Sequence, residues 1–198
     1  SEVIKNINIE NIKKFIEILL EAKQKKSTVY FIGNGGSAST ASHFANDLAI
    51  GTNSWKNPLK VISLVDNNAI MTAIANDYGF EEVFLRQVKI YCKKDDVLVA
   101  ISASGNSGNL LSSIKFANSF GINTVALTSF DGGQLKNLAK HCIHVPTELK
   151  EYGPAEDAHL IINHLVMSYL KRHFENEENK WPVNYGKISC QRKPFITQ

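Results

Sequence analysis

Gly33-Asn34-Gly35-Gly36-Ser37 and Ser102-Ala103-Ser104-Gly105-Asn106-Ser107 are the two stretches that decide how this chain reads. Each follows a short apolar run, Thr28-Val29-Tyr30-Phe31-Ile32 in one case and Asp96-Val97-Leu98-Val99-Ala100-Ile101 in the other, and each leads into a segment of helical composition. A strand that ends in small, hydroxyl-bearing residues and turns directly into a helix presents unpaired backbone N–H groups and a positive dipole end. That is the chemistry of a phosphate cradle, and its recurrence points to a phosphorylated ligand. One such loop alone is as readily a plain connection, because glycine and serine favour turns for conformational reasons. Neither stretch is a nucleotide P-loop, since no Gly-Lys-Ser/Thr follows Gly36, and neither has the spaced third glycine of a dinucleotide fingerprint.

Working outward, strand-like and helix-like segments alternate. Ile9, Ile12, Phe15, Ile16, Leu19 and Leu20 recur at spacings of three and four, which predicts an amphipathic helix over about 8–26. Further helices are expected from about Ser39 to Leu48, Ala69 to Asn76, Glu81 to Tyr91, Leu110 to Phe120 and near Leu135, with strands at 60–64, 124–128 and 142–145. Pro154 opens a long apolar helix, Ala155 to Phe174. The wholly apolar run at 97–101 reads as the central strand, covered on both faces. This order predicts an α/β fold, a doubly wound parallel sheet flanked by helices, as one domain over 1–174. The aperiodic segment 175–198 reads as an irregular tail, able to pack as an arm on another subunit.

The 198 residues are 43% apolar and 21% charged, values of a globular protein, and no apolar run approaches the roughly 20 residues that cross a bilayer. No membrane association is expected. The first residues lack the pattern of a secretory signal, so a cytoplasmic location is the expectation. A net charge of +3 is too small and dispersed to argue for nucleic acid, although it suits an anionic small molecule. Cys92, Cys142 and Cys190 are odd in number and widely spaced, which predicts reduced structural thiols and no cysteine zinc site.

The segments Gly33 to His43, Ala73-Ile74-Ala75-Asn76-Asp77-Tyr78-Gly79-Phe80, Ser102 to Ser107 and Leu127-Thr128-Ser129-Phe130-Asp131-Gly132-Gly133 together resemble the sugar isomerase (SIS) domain, in its phosphoheptose isomerase branch. The likeness runs over roughly residues 25–172. It implies a three-layer, flavodoxin-like sandwich, a homotetramer, and conversion of sedoheptulose 7-phosphate to a heptose 7-phosphate used for bacterial surface polysaccharide.

Carried over residue by residue, the resemblance implies substrate contacts at Asn34, Gly35, Gly36, Ser37, Asn76, Asp77, Ser102, Ala103, Ser104, Ser107 and Glu156. It implies metal ligands at His43, Asp47, Glu156 and His164, with zinc the expected divalent ion, and acid/base work by Asp47 and His164. His43 and Asp47, four apart on one helical face, have a workable ligand spacing. The chain departs from the family pattern at three positions: Asp47 stands where glutamate is usual, Glu156 where glutamine is usual, and Gly51 where arginine is usual. Asp47 reaches one methylene less far, and Glu156 adds a negative charge that a cation would offset. Asn76 and Asp77 have a competing reading as helix-end caps, and His141, His144, His159 and His173 read as packed or surface residues.

An aldose–ketose isomerisation moves one proton between neighbouring carbons and others between oxygens, so it needs no organic cofactor. Two further readings stand beside the isomerase. One is a non-catalytic SIS-fold binding protein similar to the replication initiator-associating protein, in which the acid of the first helix and the final histidine are usually lost. The other is a sugar-phosphate-sensing regulator, which lacks support without a helix-turn-helix segment. The presence of both Asp47 and His164 favours the enzyme, on a heptulose phosphate or another phosphosugar.

Overall fold

The computed structural model describes residues 2–179. Strands β1 (Thr28–Gly33), β2 (Lys60–Ser63), β3 (Val97–Ser102), β4 (Asn123–Thr128) and β5 (His141–His144) form one parallel sheet in the order β2-β1-β3-β4-β5. Helices α1 (Glu2–Lys5), α2 (Ile9–Lys25), α3 (Gly36–Asn46), α4 (Asn68–Tyr78), α5 (Val83–Tyr91), α6 (Gly108–Ser119), α7 (Leu135–Leu138) and α8 (Tyr152–Asn179) surround it. Every residue of β3 is buried, as its unbroken apolar run predicts.

The period of two along each strand sorts the core into two layers. Val29, Phe31, Val99, Ile101, Val125 and Leu127 face one side, where they meet Phe15 and Leu19 of α2, Phe44 of α3, and Ile162 and Val166 of α8. Phe31 and Phe44 stack at 5.1 Å between ring centroids. Tyr30, Ile32, Leu98, Ala100 and Ala126 face the other side, against Ile74 of α4, Phe84 and Val88 of α5, Leu110 and Ile114 of α6, and Leu135 of α7. The architecture is the three-layer sandwich expected from the sequence.

Strand order places the site. β1 is flanked by β2 on one side and by β3 on the other, and the helices that follow β1 and β3 pack on opposite faces of the sheet. The two connections diverge and leave a crevice above the carboxyl ends of the strands, the usual ligand position in open α/β sheets. Both serine- and glycine-rich loops border that crevice.

The larger differences from the expected boundaries are in α3 and α8. α3 begins at Gly36, because Gly35 turns the chain at φ +55° and the helix starts at once. It passes at Asp47 into a π-helical turn, Asp47–Gly51. α8 starts at Tyr152 and continues to Asn179, into the segment read as an irregular tail; the remainder of that tail, with Cys190, lies outside the described residues. Cys92 and Cys142 are free thiols, and burial pushes that of Cys92 up to about 12. No helix among the described residues is long and apolar enough to cross a membrane.

Candidate active site

A cleft of about 270 Å³ opens between the two loops. Asn34, Gly35, Gly36 and Ser37 form one wall, Ser102, Ala103, Ser104 and Ser107 form the other, and Tyr152 and Glu156 of α8 close it. Ser107 is the N-cap of α6 and makes no side-chain bond to that helix, so its hydroxyl and the open N–H groups of the first turn are available to an anion. Ser102 Oγ accepts from Gly105 N at 3.1 Å and Ser104 Oγ accepts from Asn106 N at 3.3 Å. Those bonds fix both oxygens while leaving each hydroxyl proton to donate elsewhere.

The second loop is a rigid one. Gly105 has φ +63°, and a Cβ there would collide with the carbonyl oxygen of Gly132. The Gly105 carbonyl accepts from Leu135 N at 3.0 Å, and Asn106 Oδ1 accepts from Gln134 N at 3.1 Å. In the first loop, Gly36 lets the Glu156 carboxylate lie against its backbone at the start of α3. Asn34 and Asn109 join the loops through a pair of amide hydrogen bonds, 2.9 Å in one direction and 3.1 Å in the other.

The second cluster lies where α3 and α8 pack together. His43 Nε2 is 3.2 Å from Asp47 Oδ2, His164 Nε2 is 3.8 Å from the same oxygen, and the two imidazole nitrogens are 3.2 Å apart. Among the described residues this is the group able to hold a metal ion. Tetrahedral zinc with bonds of about 2.0–2.1 Å separates its ligand atoms by about 3.3 Å, so the two spacings of 3.2 Å and this donor set fit zinc, while the 3.8 Å spacing must close by a small rotation of His164. The Asp47 side chain is only 14% exposed, whereas those of His43 and His164 are 43% and 50% exposed. The carboxylate is therefore held inside and the imidazoles face outward. Asp47 also begins the π-helical turn, a local irregularity that re-aims side chains and recurs at functional sites.

Three expected residues stand apart from a role given to them: Glu156, expected both as a substrate contact and as a metal ligand, keeps only the first position, and Asn76 and Asp77 stand apart from the cleft. Glu156 is not in the metal-binding group; eight residues before His164, about 12 Å along the helix axis, it stands in the loop cleft. Asn76 and Asp77 lie exposed near the end of α4, bonded to each other at 2.8 Å, and do not line the cleft. Tyr152, Asn109 and Asn163 were missed. Tyr152 precedes the helix start expected at Ala155, and Phe130 holds its ring edge-on at 5.1 Å. The buried face of α8, Ala155, Ala158, Ile162, Val166 and Leu170, is interrupted by two fully buried polar residues, His159 and Asn163. That break in an apolar stripe was a readable signal. His159 Nε2 lies 3.2 Å from Ser129 Oγ, tying α8 to the end of β4, and burial pushes the imidazole down to about 4.

Residues 1–129 match the family model of the SIS domain. The chain belongs to the SIS-domain family. It is 38% identical to the phosphoheptose isomerase of Helicobacter pylori over 85% of this chain and 86% of that one. It is 34% identical to that of Clostridium acetobutylicum, over 86% of each. The structure of phosphoheptose isomerase from Neisseria gonorrhoeae superposes with a TM-score of 0.77 at 30% identity, covering 85% of this chain and 89% of that one. The fold thus agrees with that of phosphoheptose isomerases.

Proposed function

We infer that the protein is a phosphoheptose isomerase, interconverting sedoheptulose 7-phosphate and D-glycero-D-manno-heptose 7-phosphate as a precursor step for bacterial lipopolysaccharide or capsule. The observation that carries this reading is that α3 and α8, whose first turns close the anion cleft, also bring His43, Asp47 and His164 together. The similarity to named phosphoheptose isomerases over most of the chain supports the same substrate class.

The phosphate sits on Ser102, Ser104, Ser107 and the first turn of α6, where hydroxyl donors and the helix dipole meet its charge. Ser37 and the Gly35-Gly36 backbone line the sugar's path, and Glu156 accepts hydrogen bonds from sugar hydroxyls. Asn34, its amide engaged with Asn109, shapes the loop and offers its backbone. Asn76 and Asp77 remain candidates for the far end of the substrate. Asp47 takes the proton from C1 of the ketose and returns it to C2, while His164 donates to the C2 oxygen and accepts from the C1 hydroxyl. The exchange is redox-neutral, and positioned acid–base groups of this kind supply about 10²–10⁴-fold. Zinc held by His43 Nε2, Asp47 Oδ2 and His164 Nε2 would occupy the lone pairs of those atoms, so with the metal bound it would polarise the sugar carbonyl in place of the His164 proton, leave Asp47 Oδ1 for proton transfer, and offset the charge that Glu156 brings near a phosphosugar.

The protein works in the cytoplasm, where phosphosugars are held, and as a homotetramer. Ile161, Leu165 and Tyr169, exposed at a spacing of four along α8, form an apolar stripe suited to a second copy. Asp47→Asn and His164→Ala test the assignment. Each should remove most turnover with the fold intact, whereas wild-type rates in both would remove these two residues from the chemistry.

A further inference from the structure

Asn163 is completely buried, on the face of α8 that packs among the apolar side chains of the core, and it reaches one polar partner. Its amide Nδ2 donates to Asp47 Oδ2 at 2.9 Å, and its Oδ1 is buried with no hydrogen-bond partner. A carboxylate can only accept, so the amide must present its N–H₂ to Asp47, and the carbonyl is orphaned as a consequence. A buried amide with one end unsatisfied is costly in an apolar core. Its presence needs a reason outside stability.

The oxygen it holds supplies that reason. Asp47 Oδ2 is the atom that lies 3.2 Å from His43 Nε2 and 3.8 Å from His164 Nε2, whereas Oδ1 is held by Asn46 Nδ2 at 3.2 Å on the exposed side. An aspartate has two rotatable side-chain bonds, so where its two oxygens point is set by the groups that bond them. We propose that Asn163 is a positioning residue: by donating to Asp47 Oδ2 from the core of α8, it fixes the oxygen that His43 and His164 face, and so sets zinc affinity and the reach of the carboxylate. The proposal rests on the isomerase reading for its kinetic part and on the side-chain geometry alone for its zinc part.

The test is Asn163→Leu, with zinc affinity measured by chelator competition on the full chain, kcat and KM on sedoheptulose 7-phosphate, and Tm of the metal-free protein. Partners that orient metal ligands are commonly worth 10–100-fold. The expected result is zinc binding at least tenfold weaker and kcat at least tenfold lower with KM within about twofold; Tm reports that the variant folds, because loss of the bond to Asp47 and loss of the orphaned carbonyl act in opposite directions. A residue that only supports the core would lower Tm and leave zinc affinity unchanged; that result overturns the proposal, as does a wild type with no zinc affinity. Should the leucine variant fail to fold, Asn163→Ser decides, because its hydroxyl is too short to reach Asp47. A tenfold loss of zinc affinity there sustains the proposal and wild-type affinity overturns it. A wild type that binds zinc but converts no ketose phosphate defeats the isomerase reading, and the zinc measurement still judges Asn163.

Discussion

Asn34 and Asn109 exchange amide hydrogen bonds of 2.9 and 3.1 Å, one residue from the first loop and the other from the helix after the second. The pair spans the switch point of the sheet, joining the loop after β1 to the first turn of α6. Asn109 is 1% exposed, so Asn109→Leu leaves the Asn34 amide half-buried without its partner. Unfolding in urea should show a loss of about 1–3 kcal/mol. The KM for the phosphosugar should rise several-fold with kcat less affected, since the mutation loosens the cleft and leaves Asp47 and His164 in place.

Gly36 and Gly105 both exclude a side chain, for different reasons, and their alanine variants should separate. At Gly105 the new Cβ meets the Gly132 carbonyl, backbone that cannot give way, and the φ of +63° adds strain. Gly105→Ala should cost about 1–3 kcal/mol or more and lower Tm clearly. At Gly36 the obstacle is the far end of the Glu156 side chain, which can rotate away. Gly36→Ala should leave Tm within a few degrees and raise KM, because it displaces a carboxylate from the cleft. Equal Tm values for the two variants would contradict this account of the loops.

His159 gives the protein a pH-dependent stability with a definite sign. The buried imidazole titrates at about 4 against an ordinary 6.5, so in the window between them the unfolded chain binds the proton and the folded chain does not. Its contribution is unaffected above about 6.5 and declines as pH falls toward 4, by roughly 3 kcal/mol over the window. His159→Asn keeps a polar group for Ser129 and removes the titration. Urea unfolding at pH 7 and pH 4.5 should show a smaller difference in the variant than in wild type; an identical difference would show that His159 is not the group responsible.

The fold was legible because its signals are local. Alternating short β-rich runs and 3.6-period segments gave the element order, and the apolar run of β3 gave its central place. The two loops were legible because the same small-residue pattern recurs after two strands, and His43 with Asp47 because an i,i+4 spacing is itself geometry. Glu156 was harder to place, since which of two clusters a helix residue joins depends on how α8 lies across α3. Asn109 and Asn163 make bonds across 75 and 116 residues of sequence, and no local pattern announces a partner that distant. The π-helical turn that begins at Asp47 has no recognised sequence signature.

The most direct measurement of the central claim is incubation of the zinc-loaded protein with sedoheptulose 7-phosphate in D₂O, followed by ¹H and ¹³C NMR. The account predicts new anomeric signals of an aldoheptose 7-phosphate, growth to a fixed ketose-to-aldose ratio, and deuterium at C2 from exchange at Asp47. A spectrum that stays that of the ketose, under conditions where the protein is folded and the phosphosugar bound, would contradict it.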